Sequence, residues 1–86
     1  MMYKIIVDDE VTLFFIENNV NISSTLKEVK NKLELFPRSY QSYKGYDNIR
    51  IIKLNKLSLL YIIDESEKKI YIKDIIFSKS KVEFKL

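Results

Sequence analysis

Apolar and polar residues follow two different periods along the chain, and the change of period separates helices from strands. The β-branched and aromatic stretch from Tyr3 to Val7 predicts a short strand. Asp8 or Asp9 can cap a helix that runs to about Asn18, because a carboxylate accepts the free N–H groups of a first helical turn. Apolar side chains cover more of this helix than one stripe, so we expect burial on two sides or a covering partner. They are Val11, Leu13, Phe14, Phe15 and Ile16.

A second, clearly amphipathic helix is predicted to open at residues 23–25. Thr25 and Glu28 have the spacing of a capping box. Apolar residues then recur at helical intervals, and charged residues fill the opposite side. The stripe consists of Leu26, Val29, Leu33 and Phe36. Pro37 ends the helix, since the residue before a proline is biased away from the α conformation.

Residues 38–48 are polar and aromatic and predict a loop. Three strands should follow, at Ile49–Leu54, Leu57–Asp64 and Lys69–Phe77, and Asn55-Lys56 has the length of a hairpin turn. Residues 78–86 form a charged tail that is expected to be a short extra strand or an arm. The order β-α-α-β-β-β predicts an α+β fold, with two N-terminal helices on one face of a small, mainly antiparallel sheet.

Composition removes most kinds of enzyme. The 86 residues, which we interpret as a single domain spanning 1–86, contain no Cys, no His and one Gly. Thiol nucleophiles, histidine bases, zinc sites and glycine-rich phosphate loops are thereby excluded. The acidic cluster at residues 8–10 is explained by helix capping, so we expect no metal and no cofactor. No apolar run approaches a membrane span or a secretory signal, which predicts a cytoplasmic protein that does not contact membranes.

Charge is distributed unevenly. Residues 1–22 have one basic and four acidic side chains, whereas residues 23–63 have eight basic and three acidic ones. A basic middle indicates an anionic partner, either nucleic acid or an acidic protein segment. The alternative is an ordinary lysine-rich solvated surface.

In order and spacing, nearly the whole chain resembles the RelE/ParE superfamily of type II toxin–antitoxin toxins. The resemblance depends on several short motifs, none of which is specific alone. They are Phe36-Pro37, Lys44-Gly45, Ile49-Arg50-Ile51, the strand Leu57–Asp64, and Ile70-Tyr71-Ile72 with Ile75-Ile76.

The resemblance implies a metal-independent endoribonuclease, an mRNA interferase that inhibits translation on the ribosome and is neutralised by a cognate antitoxin. Arg50 and Lys79 would bind phosphate as catalytic residues, and Tyr61 would stack on or position a base. Lys44, Lys53 and Lys56 would hold RNA. Positions at which the family has an Arg and a His fall on Ser58 and Phe77, and the C-terminal Tyr of some members falls on Phe84.

Two other functions stay open. ParE-type members inhibit DNA gyrase by binding, and a chain without the family's full catalytic set fits that branch or a catalytically degenerate member. Without the resemblance, the chain would be a small basic RNA-binding module.

Overall fold

The computed structural model describes residues 2–79 and residue 84. Two helices follow the first strand, and a mixed five-stranded sheet has the order β1-β5-β4-β3-β2. β1 is parallel to β5, and the other neighbours are antiparallel. The predicted α+β fold is confirmed. The elements are β1 (Lys4–Val7), α1 (Asp9–Glu17), α2 (Ile22–Leu33), a 3-10 turn (Pro37–Ser39), β2 (Gln41–Tyr43), β3 (Tyr46–Leu54), β4 (Leu57–Asp64) and β5 (Lys69–Phe77).

The starts of both helices are fixed by side-chain caps. Asp8 caps α1, and its Oδ1 accepts a hydrogen bond from the Glu10 N–H at 3.2 Å. α2 begins earlier than the sequence predicts, because Asn21 is the cap and accepts from the Ser24 N–H at 3.0 Å. Thr25 is therefore inside the helix, where its hydroxyl donates to the Asn21 carbonyl at 2.9 Å. The predicted capping box at Thr25 is wrong, since an asparagine with equal capping power precedes it.

The end of α2 also differs from the prediction. The helix stops at Leu33, and Phe36 has φ −132° and ψ 65°, outside the helical region. Phe36 was expected on the buried stripe but its exposed fraction is 69%. The cause is Pro37, whose ring restricts the residue before it and starts a separate 3-10 turn.

Residues 38–48 are not the loop that their polar composition predicts. They contain the 3-10 turn, the three-residue strand β2 and the first residues of β3, which begins at Tyr46 and not at Ile49. The two-residue turn between β2 and β3 is formed by Lys44 and Gly45, with φ of 51° and 81°. Two positive φ angles match the twist of a tight hairpin, so this segment adds a fifth strand to the sheet.

Both helices pack on the same face of the sheet. Val11 and Phe15 of α1 and Val29 and Leu33 of α2 are buried against alternate residues of β3, β4 and β5. The core members from these strands are Ile52, Leu54, Leu57, Leu59, Tyr61, Ile63, Ile70, Ile72 and Ile75. The other face, which neither helix covers and which is called the open face here, contains the intervening residues of the same strands, such as the exposed Lys53 and the buried Ser58 and Leu60.

Of the predicted tail at 78–86, only Ser78, Lys79 and Phe84 are among the described residues. The Ser78 N–H donates to the Lys56 carbonyl at 2.6 Å, which fixes the end of β5 beside the β3–β4 turn. The Phe84 ring packs edge-on against Tyr43 of β2, with centroids 5.8 Å apart. The predicted extra strand or arm otherwise lies outside the described residues. No helix in the described part of the chain is long and apolar enough to cross a membrane.

Candidate nucleic-acid interface

Three of the predicted RNA-binding or catalytic lysines lie near one end of the open face. Lys53 of β3 is directly opposite Ser58 of β4, and the Ser58 hydroxyl is 2.9 Å from the hydroxyl of Ser78. Lys79 follows Ser78, whose N–H bonds to the carbonyl of Lys56. These five residues, Lys53, Lys56, Ser58, Ser78 and Lys79, are called the cationic corner.

The corner combines exposed charge with one buried hydroxyl, that of Ser58, which pairs with the exposed Ser78. All three lysines are exposed, whereas Ser58 is only 5% exposed. None of the three lysines forms an ion pair with any other residue that the structure describes. Free ammonium groups bind phosphate as point charges, and hydroxyls donate hydrogen bonds to its oxygens. The corner can therefore bind an RNA backbone and stabilise negative charge that develops on a phosphate.

Arg50, predicted as a catalytic phosphate ligand, lies elsewhere and is bonded to the protein. Its guanidinium donates to the carbonyl of Tyr40 at 2.8 Å and to that of Arg38 at 3.3 Å. It also donates to the carbonyl of Asp47 at 2.9 Å and to Asp47 Oδ1 at 2.8 Å. The Arg50 side chain is 14% exposed. These contacts connect the 3-10 turn to β3, so Arg50 has a structural place in the fold.

Tyr61 is buried beside Arg50 rather than at the corner. It is opposite Arg50 in the β3–β4 register and belongs to the core. Its hydroxyl donates to the Pro37 carbonyl at 2.5 Å, and burial raises the pKa of the hydroxyl well above its usual value. A fully buried ring cannot stack on a base without a rearrangement of the core.

An ion-pair network continues from Arg50 towards the β4–β5 turn. Arg38 contacts Asp47 at 3.0 Å and also pairs with Glu65, which contacts Lys68 at 2.8 Å. Hydrogen bonds from Lys68, from the Tyr3 hydroxyl and from Arg38 lower the pKa of Glu65 to about 2. The hydrogen bond from Arg38 is likewise the main cause of the lowered pKa of Asp47. These charges hold the 3-10 turn against the sheet.

Lys44 lies away from the corner, whereas Phe77 directly precedes corner residue Ser78 but faces the helices. Lys44 lies in the β2–β3 turn, and its Nζ is 5.3 Å from the centroid of the Tyr43 ring. Phe77, on which the family's histidine position falls, is opposite core residue Leu57 and packs on Phe14 at 5.1 Å. The structure thus brings together Lys53, Lys56 and Lys79, but not Lys44, Arg50 or Tyr61.

The Ser58–Ser78 pair is the part of the corner that sequence reasoning missed. A serine between Leu57 and Leu59 in an apolar strand was the available signal, since a buried hydroxyl requires a hydrogen-bond partner. Among residues 2–79 and 84, no group of three or more acidic side chains could hold a metal ion.

Comparisons with known proteins identify the fold. No protein-family model matches the chain, and no curated protein matches it. A solved structure of the E. coli toxin RelE, a double arginine-to-alanine mutant in the free state, matches with a TM-score of 0.73. The fold is RelE-like. The match covers 94% of this chain and 88% of that one at 15% identity, so the RelE-like fold extends over nearly all of the chain.

Proposed function

We propose that this RelE-like protein is the toxin of a type II toxin–antitoxin pair and acts on RNA through the cationic corner. The observation that carries the proposal is that Lys53, Lys56 and Lys79 lie at one end of the sheet, next to the hydrogen-bonded pair Ser58 and Ser78. In the resembled family, the position of Ser58 belongs to a catalytic arginine. In place of one guanidinium, the corner would offer the ammonium groups of Lys53, Lys56 and Lys79. A cognate antitoxin would neutralise the toxin.

The proposed target is mRNA on the ribosome. Lys53 and Lys79 would bind the backbone phosphates and offset the charge of the transition state, and an ammonium group can also donate a proton to a leaving oxygen. Arg50 and Tyr61 would support the fold and would not touch RNA. The ribose 2′-hydroxyl would attack the adjacent phosphorus and pass its proton to water, while the P–O5′ bond breaks and a lysine ammonium group protonates the leaving 5′ oxygen, so that neither histidine nor a metal takes part.

The test is inducible expression of the protein in a bacterium. Wild type should arrest growth, and the double variant Lys53→Gln with Lys79→Gln should lose most of this effect while remaining folded. The matched control changes two exposed α2 lysines, Lys27→Gln and Lys32→Gln, and should stay toxic. Full toxicity of the corner variant would refute the proposal, as would the absence of growth arrest with wild type.

The mode of action is measured in the same cells. A rapid fall in methionine incorporation together with new mRNA 5′ ends inside codons would support cleavage on the ribosome. A second candidate is gyrase inhibition by binding alone. It is supported by the hydrogen bonds that Arg50 and Tyr61 make within the fold. SOS induction and filamentation with intact mRNA would support that candidate instead.

A further inference from the structure

The outward side of α1 combines two large apolar residues with three carboxylates. Asp9, Glu10, Leu13, Ile16 and Glu17 fall within a sector of about 120° at 3.6 residues per turn. Leu13 is 52% exposed and Ile16 is 67% exposed. The helix has no basic residue. These five residues are called the acidic helix surface.

A second surface of opposite charge lies where α2 ends beside the start of β1. Its apolar residues Met2, Leu35 and Phe36 are 57%, 52% and 69% exposed. Its cations are the exposed side chains Lys4, Lys30 and Lys32, of which the last two lie in the final turn of α2. These six residues are called the basic end surface.

The basic end surface is concave, whereas the acidic helix surface is a convex ridge. A shallow pocket of about 340 Å³ is lined by Met2, Lys4 and Lys30, among others. A neighbouring pocket of about 420 Å³ is lined by Leu35 and Phe36, and both pockets include Tyr3. Glu34 lines the first pocket and the paired Arg38 and Glu65 line the second, so carboxylates offset part of the positive charge. Two adjacent pockets can accept two side chains that are one helical turn apart, as Leu13 and Ile16 are.

The two surfaces lie at opposite ends of the molecule. The basic end surface adjoins the start of β1, where the Tyr3 N–H donates to the Glu34 carbonyl at 2.8 Å. The later part of α1 adjoins the end of β5, where Phe14 packs on Phe77. β1 and β5 are parallel, and nine residues of strand span roughly 26 Å. One molecule therefore cannot join its own two surfaces.

We propose that the acidic helix surface of one molecule docks on the basic end surface of a second copy. Apolar side chains would be buried between opposite charges, which favours this pairing and fixes its orientation. Contact between two acidic helix surfaces, or between two basic end surfaces, would bring like charges together and is disfavoured. The contact is thus head-to-tail, and repetition gives a ring or an open chain.

The basic end surface lies at the opposite end of β5 from the cationic corner, whereas the acidic helix surface lies near Phe77, which directly precedes corner residue Ser78. Self-association does not rest on the proposed function, because it is measured by sedimentation of the purified protein and not by growth arrest. We expect a weak contact, because each surface exposes only two or three large apolar side chains.

Sedimentation velocity of the purified protein over a range from low micromolar to millimolar concentration tests this contact. The mean sedimentation coefficient should rise with concentration at low salt and rise less in 0.5 M NaCl, where the charge pairing is screened. A helix-surface variant, Leu13→Ser with Ile16→Ser, and an end-surface variant, Leu35→Ser with Phe36→Ser, should each raise the Kd at least about tenfold.

Mixing the two variants is the decisive experiment. Each retains the surface that the other lacks, so an equimolar mixture should form a discrete dimer that cannot grow. If neither variant changes the association, if the mixture stays monomeric, or if wild type does not associate, the proposal is wrong. Circular dichroism confirms folding, and the charge reversals Glu17→Lys and Lys32→Glu repeat the test without touching apolar residues.

Discussion

At the scale of a single residue, removal of the Tyr61 hydroxyl tests whether this residue has a structural or a catalytic role. Tyr61→Phe removes its hydrogen bond to the Pro37 carbonyl and leaves that acceptor unpaired. We expect the free energy of unfolding to fall by about 1–2 kcal/mol, because a buried polar group then lacks its partner. Urea unfolding should show a lower midpoint with an unchanged slope. Growth arrest should persist.

A matched control is Tyr71→Phe. Tyr71 lies on the neighbouring strand, and its hydroxyl makes no hydrogen bond to another described residue. Its substitution should leave stability nearly unchanged. If Tyr61→Phe lost growth arrest but kept wild-type stability, a purely structural role would be contradicted, and the hydroxyl would take part in the reaction.

Arg50 shows why residue type alone did not identify the site. An arginine in a strand of a basic chain fits phosphate binding from sequence, and the resemblance strengthens that expectation. In the structure, the Arg50 guanidinium donates hydrogen bonds to Asp47, three residues earlier, and to the carbonyls of residues 38 and 40. Asp47 is visible in the sequence, but the carbonyls come from a segment that was predicted to be an unstructured loop.

At the scale of the element, the backbone conformation of the β2–β3 turn predicts how a substitution of Lys44 changes stability. Lys44 adopts φ 51°, a conformation that asparagine accepts at lower cost than lysine. Lys44→Asn should therefore raise the free energy of unfolding by about 0.5 kcal/mol. Thermal unfolding measures the change, and Gly45→Ala, at φ 81°, should shift the melting temperature in the opposite direction. A destabilised Lys44→Asn would show that the lysine's contact with Tyr43 outweighs the backbone preference.

Two consecutive residues of helix α1 are expected to differ strongly in their contribution to stability. Phe15 is buried in the core, whereas Ile16 points outward. Phe15→Ala should cost about 3–5 kcal/mol because it leaves a cavity beneath the helix. Ile16→Ala should change stability by less than about 0.5 kcal/mol, since its side chain is already hydrated. Chemical denaturation of both variants checks the difference, and equal costs would mean that α1 is buried on both sides.

Elements were predictable where local signals and tertiary packing agreed. The apolar strands β4 and β5 have the predicted bounds because each is bordered by turn residues and buried by its neighbours. The strand β2 was missed because its three residues, Gln41–Tyr43, have little local strand preference and depend on pairing with β3. The surplus of apolar residues on α1 was predicted, and Leu13 and Ile16 are its exposed part.

For the whole molecule, the sheet register decides which side chains share a face. The β4–β5 pairing shifts between Leu60 and Tyr61, so that Ser58 is opposite Ile76 and the chain beyond it turns back to Ser78 and Lys79. A shift of one residue reverses the face of every later side chain. One local sign of this bulge is that the apolar alternation of β5 changes phase between Ile72 and Ile75. The sequence predicted Lys53 and Lys79 as candidate site residues, but it did not predict that they lie near each other.

The carboxylates of the whole molecule set its stability towards acid. The pKa values of Asp8, Asp47, Asp64 and Glu65 are all lowered in the folded chain. A folded-state pKa below the unfolded value means that the stabilisation is complete above the unfolded pKa and is lost as the pH falls. For Glu65, that loss extends from near its ordinary value of 4.5 down to about 2.

We therefore expect the melting temperature to fall as the pH is lowered from about 5 towards 2, because protonation removes ion pairs that hold the 3-10 turn to the sheet. Glu65→Gln should reduce stability near neutral pH and flatten the acid limb of a plot of melting temperature against pH. The control Glu67→Gln changes an exposed neighbour whose carboxylate forms no ion pair with a described residue, so its plot should follow wild type. An unchanged acid limb in Glu65→Gln would show that the contacts of Glu65 with Lys68, Tyr3 and Arg38 do not contribute to acid stability.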